Sequence, residues 1–174
     1  MIIGFSGCGK STLARRLGEM LGIEPVHLDC LHWLPNWVES SDEYKTERLK
    51  PVLERDRWII EGSYRRILWK ERAEGADTVI FLDFNRFLCL YRVIKRRIMY
   101  HGKTRPDMGE GCPEKIDFEF LKWVFRDGRK KRRKNYEFMD FLKNELGKDA
   151  YIFRRPKQLE AFLRSINYME RIGK

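Results

Sequence analysis

The chain has 174 residues, and its 36 Lys and Arg against 26 Asp and Glu give a formal net charge of +10. An apolar content of 43% with 13% aromatic residues excludes an intrinsically disordered chain, and no apolar run is long enough for a membrane span. The length predicts a single domain, residues 1–174, that is large enough to bury a core. The positive charge favours an anionic partner, either nucleic acid or a small polyanionic substrate.

Four cysteines, Cys8, Cys30, Cys89 and Cys112, form no C-x-x-C pair. With only three histidines beside them, they predict free thiols in a reducing compartment and no zinc site. The N-terminus runs directly into the loop described next, which leaves no room for a signal peptide. We therefore expect a cytoplasmic protein with no membrane partner.

The first predicted strand, Ile2–Phe5, runs into a phosphate-loop pattern, G-x-x-x-x-G-K-[ST], at residues 4–11. The glycines let backbone N–H groups converge on a phosphate, while Lys10 is expected to reach the outer phosphates and Ser11 to ligate Mg²⁺. The predicted helix Ser11–Leu21 adds its positive N-terminal end. ATP and Mg²⁺ are thus the expected cofactors, held by Gly4, Ser6, Gly7, Cys8, Gly9, Lys10, Ser11 and Thr12.

An acidic residue stands at the end of each of the next three predicted strands. Asp29 follows Pro25–Leu28, Glu61 follows Trp58–Ile60 and Asp83 follows Thr78–Leu82. Ligands bind beyond the carboxyl ends of parallel strands, so Asp29 is expected to contact substrate, to hold Mg²⁺ through water, or to orient or deprotonate an attacking hydroxyl. Either Glu61 or Asp83 is expected to support Mg²⁺, and Glu61 is also expected to contact substrate. All three residues have an ordinary alternative in turns or helix caps.

Basic and aromatic residues surround these strand ends. Arg65, and less so Arg66, is expected to clamp an anionic substrate. Trp33 is expected in an aromatic wall for a planar or sugar-like substrate, with ordinary core packing as the alternative; the wall comprises His32, Trp33, Trp37 and Tyr64.

Helical spacing of apolar residues predicts helices over Glu43–Asp56, Phe87–Tyr100, a segment from Pro113, Arg129–Leu146 and a last helix from about Gln158. Pro51 is expected to kink or split the first of these. The irregular stretch His101–Cys112 predicts a lid of about residues 101–128. A fifth strand is predicted at Tyr151–Phe153.

Arginines at this lid are candidates for stabilising a transferred phosphoryl group. One or more of Arg96, Arg97 and Arg105 is expected to touch phosphate, with a solvated basic helix face as the alternative. The densest basic run, Arg129–Lys134, is either a nucleic-acid surface or a solvated face, and the solvated face is the default.

These motifs together resemble the DNA topology modulation (FlaR-type) group of adenylate-kinase-related phosphate-loop proteins. The likeness extends from Met1 to about Phe162 and rests on residues 4–12, 27–29, 32–37, 60–64, 77–83 and 104–108. It implies a three-layer α/β fold with a five-stranded parallel sheet of order 2-3-1-4-5 and a helical lid after the fourth strand. It also implies a base-contacting loop after the fifth strand, where Arg155, with Arg154 and Pro156, would lie near adenine.

The combined prediction is an ATP-dependent kinase that moves the γ-phosphate to a small nucleotide-like or hydroxylated acceptor. Its expected catalytic residues are Lys10, Asp29, Arg96 and Arg105. The alternative is an ATP-binding regulator that affects DNA topology, for which nucleic acid would be a partner. A GTPase is disfavoured because the chain has no Asn-Lys-x-Asp signature.

Overall fold

The computed structural model describes residues 1–172, with side chains described to residue 166. The strands, in chain order, are β1 (Ile2–Gly4), β2 (Pro25–His27), β3 (Trp33–Leu34), β4 (Val38–Glu39), β5 (Ile59–Glu61), β6 (Thr78–Leu82) and β7 (Asp149–Phe153). The helices are α1 (Lys10–Leu21), α2 (Leu28–His32), α3 (Asp42–Leu53), α4 (Trp69–Gly75), α5 (Arg86–Met99), α6 (Phe118–Phe125), α7 (Arg132–Asn144) and α8 (Pro156–Ile172). Short 3₁₀ turns occupy Pro35–Trp37 and Asp127–Lys131.

Five of the strands form one all-parallel sheet in the order β2-β5-β1-β6-β7, and β3 and β4 form a separate antiparallel hairpin. In the register of the sheet, Gly4 pairs with Leu82 and His27 pairs with Glu61. The carboxyl ends of these strands therefore meet at one edge of the sheet, where the loops after them converge.

Each face of the sheet is covered by helices, because the strands are apolar on both sides. Ile2, Ile80 and Leu82 pack on one face against residues of α1, α5 and α8. Ile3 and Phe81 pack on the other face against residues of α4 and α7. The result is a helix–sheet–helix arrangement, compatible with a three-layer fold.

The predicted parallel α/β sheet is confirmed, and each predicted strand lies within two residues of its observed bounds. Pro51 lies inside α3 and does not split it. The helix predicted from Pro113 begins only at Phe118, and the first residues of the predicted Arg129–Leu146 helix form the 3₁₀ turn. Helices α2 and α4 and the β3–β4 hairpin were not predicted.

Residues 101–117, between α5 and α6, form an irregular segment, called the lid segment below. It folds back on itself through isolated bridges that pair His101 with Glu114 and Thr104 with Pro113. Helix α6, which follows it, is anchored to the core by the buried Val124. Within residues 1–172, no helix has both the length and the apolar character needed to cross a membrane.

Candidate functional site

The phosphate loop joins the end of β1 to the start of α1, and its shape depends on glycine. Gly7 has φ +76°, and a Cβ built there would lie 2.4 Å from the carbonyl oxygen of Cys89. A Cβ on Gly4 would lie 2.7 Å from the carbonyl oxygen of Leu82. Both positions exclude a larger residue, so the backbone of α5 and β6 fixes the course of the loop.

The N-terminus of α1 opens towards the space enclosed by this loop. Its N-cap, Gly9, is left-handed and supplies no side-chain cap, and the first turn carries no acidic residue. The first N–H groups of a helix need partners from outside the helix, and here no side chain of the cap provides one. This end of α1 is therefore suited to an anion.

Ser11 and Lys10, the first residues of α1, face two carboxylates. The Ser11 hydroxyl donates to Oε1 of Glu61 at 2.9 Å, and Nδ1 of His27 lies 3.0 Å from the same oxygen. Burial by itself lowers the pKa of Lys10, but Cys8, Glu61 and Asp29 raise it, and the net pKa lies above its ordinary value. Lys10 is therefore a cation at neutral pH.

Asp29, in the first turn of α2, accepts a hydrogen bond of 2.6 Å from the hydroxyl of Tyr64. Burial, followed by the negative charge of Glu61, raises the pKa of Asp29, while Lys10 and the Tyr64 hydrogen bond oppose that rise. A carboxylate with a raised pKa and one oxygen held by a tyrosine is a suitable proton acceptor.

Two adjoining cavities meet at these residues. The first, called the loop cavity, has a volume of about 440 Å³ and is lined by residues 6–13 with Asp107 and Pro156. The second, called the aromatic cavity, has a volume of about 510 Å³ and includes all four predicted wall residues. The residues that line both cavities are Ser6, Lys10, Asp29, Arg96 and Arg105.

The two arginines at this junction are held by carboxylates of the lid segment. Oε1 of Glu114 lies 2.7 Å from Nε of Arg96, and Oε2 of Glu114 lies 2.6 Å from Nε of Arg105. Arg105 also donates to Oδ2 of Asp107 at 2.7 Å. Burial raises the pKa of Asp107, but the positive charge of Arg105 and hydrogen bonds to the carboxylate lower it by more, so Asp107 is ionised at neutral pH. Sequence reasoning gave no role to Glu114 or Asp107.

Arg65 and Asp83, both expected near the site, lie elsewhere. Arg65 was expected to clamp substrate, but it lines neither cavity: it donates to Oδ1 of Asn135 at 3.0 Å, and its guanidinium lies 4.7 Å from the centre of the Trp69 ring. Asp83, the alternative to Glu61, accepts from Arg132 at 2.7 Å and from Tyr136 at 2.6 Å. Of the two acids, Glu61 is therefore the one that contacts Ser11.

Arg155 is exposed and also lies outside both cavities. Its backbone N–H donates to the side chain of Gln158 at 3.0 Å, which orders the start of α8. The neighbouring Pro156 lines the loop cavity instead. Arg97 is directed towards His101, 2.7 Å away, and lines neither cavity.

Most of the basic run at residues 129–134 is engaged with other protein groups. Lys130 pairs with Asp127, Arg132 with Asp83 and Arg133 with Glu137. Arg129 donates to the carbonyl oxygen of Phe84 at 2.7 Å. These contacts connect part of the run to the end of β6. The nucleic-acid surface therefore stays a prediction from sequence, and none of these contacts adds support to it.

Among the side chains described, those of residues 1–166, no group of three or more His, Cys, Asp or Glu residues is arranged to hold a metal ion. Mg²⁺ does not require such a group, because it keeps several waters and binds one or two protein ligands together with substrate phosphates. The pair Ser11 and Glu61 fits that pattern. No family model matches the chain, and a search of curated proteins finds no significant match.

Proposed function

We propose that this protein transfers the γ-phosphate of Mg·ATP to a hydroxyl group of a small acceptor. The observation that carries the proposal is the junction of the two cavities, because a cation (Lys10), a carboxylate (Asp29) and two arginines line both. A phosphotransferase needs two adjoining compartments, one for the donor phosphates and one for the acceptor, with cationic groups at their boundary.

The loop cavity is the compartment proposed for ATP. Its support is the open N-terminus of α1 and the glycines whose Cβ atoms would clash with the backbone around them. The sheet adds further support: counted among the five sheet strands alone, its order reads 2-3-1-4-5, as the resemblance implies. These features favour a phosphate-loop kinase.

Mg²⁺ would be held by the Ser11 hydroxyl, with Glu61 on the outer side of that hydroxyl. When bound, the ion would neutralise charge on the phosphate oxygens. Glu61 is 2% exposed and accepts from Ser11, so it orients the hydroxyl oxygen for a cation and adds negative charge behind it.

Asp29 is proposed as the group that takes the proton of the attacking hydroxyl. The acceptor oxygen forms a bond to the γ-phosphorus, the bond to the β–γ bridging oxygen breaks, ADP leaves and the hydroxyl proton moves to Asp29. Arg96 donates to Glu114 through Nε and Arg105 donates to Asp107 through one terminal nitrogen, so both keep other N–H groups of their planar guanidinium for the charge on the transferred group.

The test is transfer of label from γ-labelled Mg·ATP to a panel of nucleosides, nucleoside monophosphates and hydroxylated metabolites. Lys10→Ala is expected to reduce kcat/KM by about 10²-fold or more, since one well-placed electrostatic group contributes on that order. Lys134→Ala, which removes an exposed cation outside both cavities, is the matched control. Labelled product that persists in the Lys10→Ala protein, or activity unaffected by chelation of Mg²⁺, would contradict the proposal.

A further inference from the structure

We infer that the acceptor is an uncharged compound that carries a planar ring and a hydroxyl group, of which a nucleoside is the simplest example, and that it is not a phosphomonoester. This inference rests on the proposed function and specifies the acceptor for the same site. It is carried by two features of the aromatic cavity: the rings in its wall and the pairing of its charges.

Rings from three separate parts of the chain line the aromatic cavity and form two groups. One group forms a continuous series, with His32 4.4 Å from Tyr64 and 4.6 Å from Trp33, and Trp33 5.5 Å from Trp37 between ring centres. The second group lies on α6, where Phe120 and Trp123 are stacked at 6.1 Å. A wall of this kind favours a flat, largely apolar body over a branched or strongly hydrated one.

The two arginines of the same cavity are already paired with carboxylates of the protein. Arg96 and Arg105 share Glu114, and Arg105 also pairs with Asp107, so two cations face two carboxylates. Glu114 is 4% exposed and reaches both arginines with its two oxygens. In the proposed function the N–H groups that these arginines keep serve the transferred phosphoryl group, so a second phosphate, carried by the acceptor, would meet guanidinium charge that Glu114 and Asp107 already offset.

The two remaining cations of this cavity are Lys10 and Lys115. In the proposed function Lys10 serves the phosphates of the donor. The exposed Lys115, whose ammonium lies 4.9 Å from the centre of the Trp37 ring, is the cation of this cavity that is left for an acceptor. A charged acceptor would also lie close to Asp29, whereas a neutral hydroxyl can donate a hydrogen bond to that carboxylate.

The preference for an uncharged acceptor can be tested by measuring binding alone, without any phosphate transfer. The full chain is saturated with Mg·ADP to occupy the loop cavity, and the affinities of adenosine and thymidine are compared by calorimetry with those of their 5′-monophosphates. The nucleosides are expected to bind about tenfold more tightly, as uncompensated negative charge is rejected. Equal or tighter binding of the monophosphates, or no binding of either class, would overturn the inference.

Transfer from γ-labelled ATP is then measured with the same compounds. If a nucleoside binds but receives no phosphate, the proposed kinase function fails while the acceptor class stands. If phosphate moves only to monophosphates or to alcohols without a ring, the kinase function stands and the acceptor class fails. The two ideas can therefore be rejected separately.

A variant of Glu114 tests whether the pairing of the two arginines causes the preference for an uncharged acceptor. Glu114→Gln removes the shared carboxylate charge and is expected to shift the ratio of monophosphate to nucleoside affinity by about tenfold towards the monophosphate. Glu110→Gln, an exposed position in the same segment, removes the same charge and should leave the ratio unchanged. A folded Glu114→Gln protein with an unchanged ratio contradicts the argument, and the comparison in the unaltered protein remains decisive if this variant does not fold.

Discussion

The phosphate loop and the lid segment line the same site but are held in place by different forces. The loop is set by backbone sterics: the Cβ positions of Gly4 and Gly7 are already occupied by carbonyl oxygens of neighbouring elements. The lid segment relies in addition on charges, chiefly the contacts of Arg105 with Asp107 and Glu114 and of Arg96 with Glu114. Sterics act on only part of it: a Cβ on Gly109 would lie 2.0 Å from the carbonyl oxygen of Trp33, whereas one on Gly102 would meet nothing within 4 Å.

This difference has a consequence for how each region responds to its surroundings. Steric contacts do not change with pH or salt, whereas the ion pairs of the lid segment weaken when a carboxylate is protonated. We therefore expect the loop at residues 4–11 to be insensitive to pH and salt, and the lid segment to be partly sensitive to both. Substitutions in the two regions should separate these behaviours.

The largest effect is expected for Gly7→Ala. The new methyl would need to occupy space 2.4 Å from a backbone oxygen while the residue keeps φ at +76°. We expect the free energy of unfolding to fall by about 1–2 kcal/mol because of the left-handed conformation and by about 1–3 kcal/mol more because of overpacking. We also expect ATP binding to be abolished. Urea unfolding and calorimetry with Mg·ATP measure the two quantities.

Gly102→Ala is the matched control, because this residue also has positive φ, at +69°, but open space around its Cβ position. Its free energy of unfolding should fall only by the cost of the left-handed conformation, about 1–2 kcal/mol, and it should still bind ATP. Equal losses in the two variants would show that the packing around Gly7 does not constrain the loop.

A smaller effect, and one that depends on pH, is expected for Asp107→Asn. Arg105 keeps Glu114 but loses a partner in a pair whose side chains are 7% and 8% exposed, which should cost about 1–3 kcal/mol at pH 7. The folded-state pKa of Asp107 is lowered below its ordinary value of 3.8. Its contribution to stability is thus complete above that value and is lost as the pH falls through the folded-state pKa.

Urea unfolding at pH 7 and at several values below 4 measures this difference. The gap between the unaltered protein and Asp107→Asn should close on acidification, while the gap caused by Gly7→Ala should persist. Asp140→Asn, at an exposed position of α7, serves as the control for a charge change alone. A gap for Asp107→Asn that does not depend on pH would contradict a charge-held lid segment.

The smallest effect, a shift in a pH profile, is expected for Tyr64→Phe. The Tyr64 hydrogen bond lowers the pKa of Asp29 against the opposing effects of burial and Glu61, so its removal should raise that pKa further. If Asp29 accepts the proton, the acid limb of kcat/KM lies above the ordinary value of 3.8 and moves to higher pH in the variant. Rate profiles of both proteins measure the shift.

Tyr91→Phe, at an exposed position of α5, should leave the acid limb where it is. An acid limb that stays in place or moves to lower pH in Tyr64→Phe would remove Asp29 from its proposed role, whatever the change in overall rate.

The parts of the fold that sequence predicted well are those with strong local signals. Thr78–Leu82 was predicted with its observed bounds, since a run of apolar residues buried on both faces is typical of a central parallel strand. A loop between a strand and a helix at residues 4–11 was predictable because the pattern occupies a short contiguous segment, and phosphate binding there stays a prediction. Helix α4 was missed because it starts after Leu68, a left-handed residue that provides no capping side chain.

The parts that sequence did not predict depend on contacts between distant segments. Arg72 looks like a surface residue, yet it is 0% exposed and its guanidinium donates to carbonyl oxygens of residues 62, 64 and 67. Glu114 gained its role only because the lid segment folds back to bring it to Arg96 and Arg105. Arg65, in contrast, is drawn from the strand edge by Trp69 and Asn135, neither of which has a local signal.

The double contact of Glu114 also has a mechanical consequence. Arg96 belongs to α5, which is packed on the sheet through Val93, whereas Arg105 and Glu114 belong to the irregular segment beyond it. One carboxylate thus couples a helix of the core to the irregular segment, and loss of its charge would weaken both arginine contacts at once. Because α6 is packed on the core through Val124, the stretch affected is bounded by the end of α5 and the start of α6.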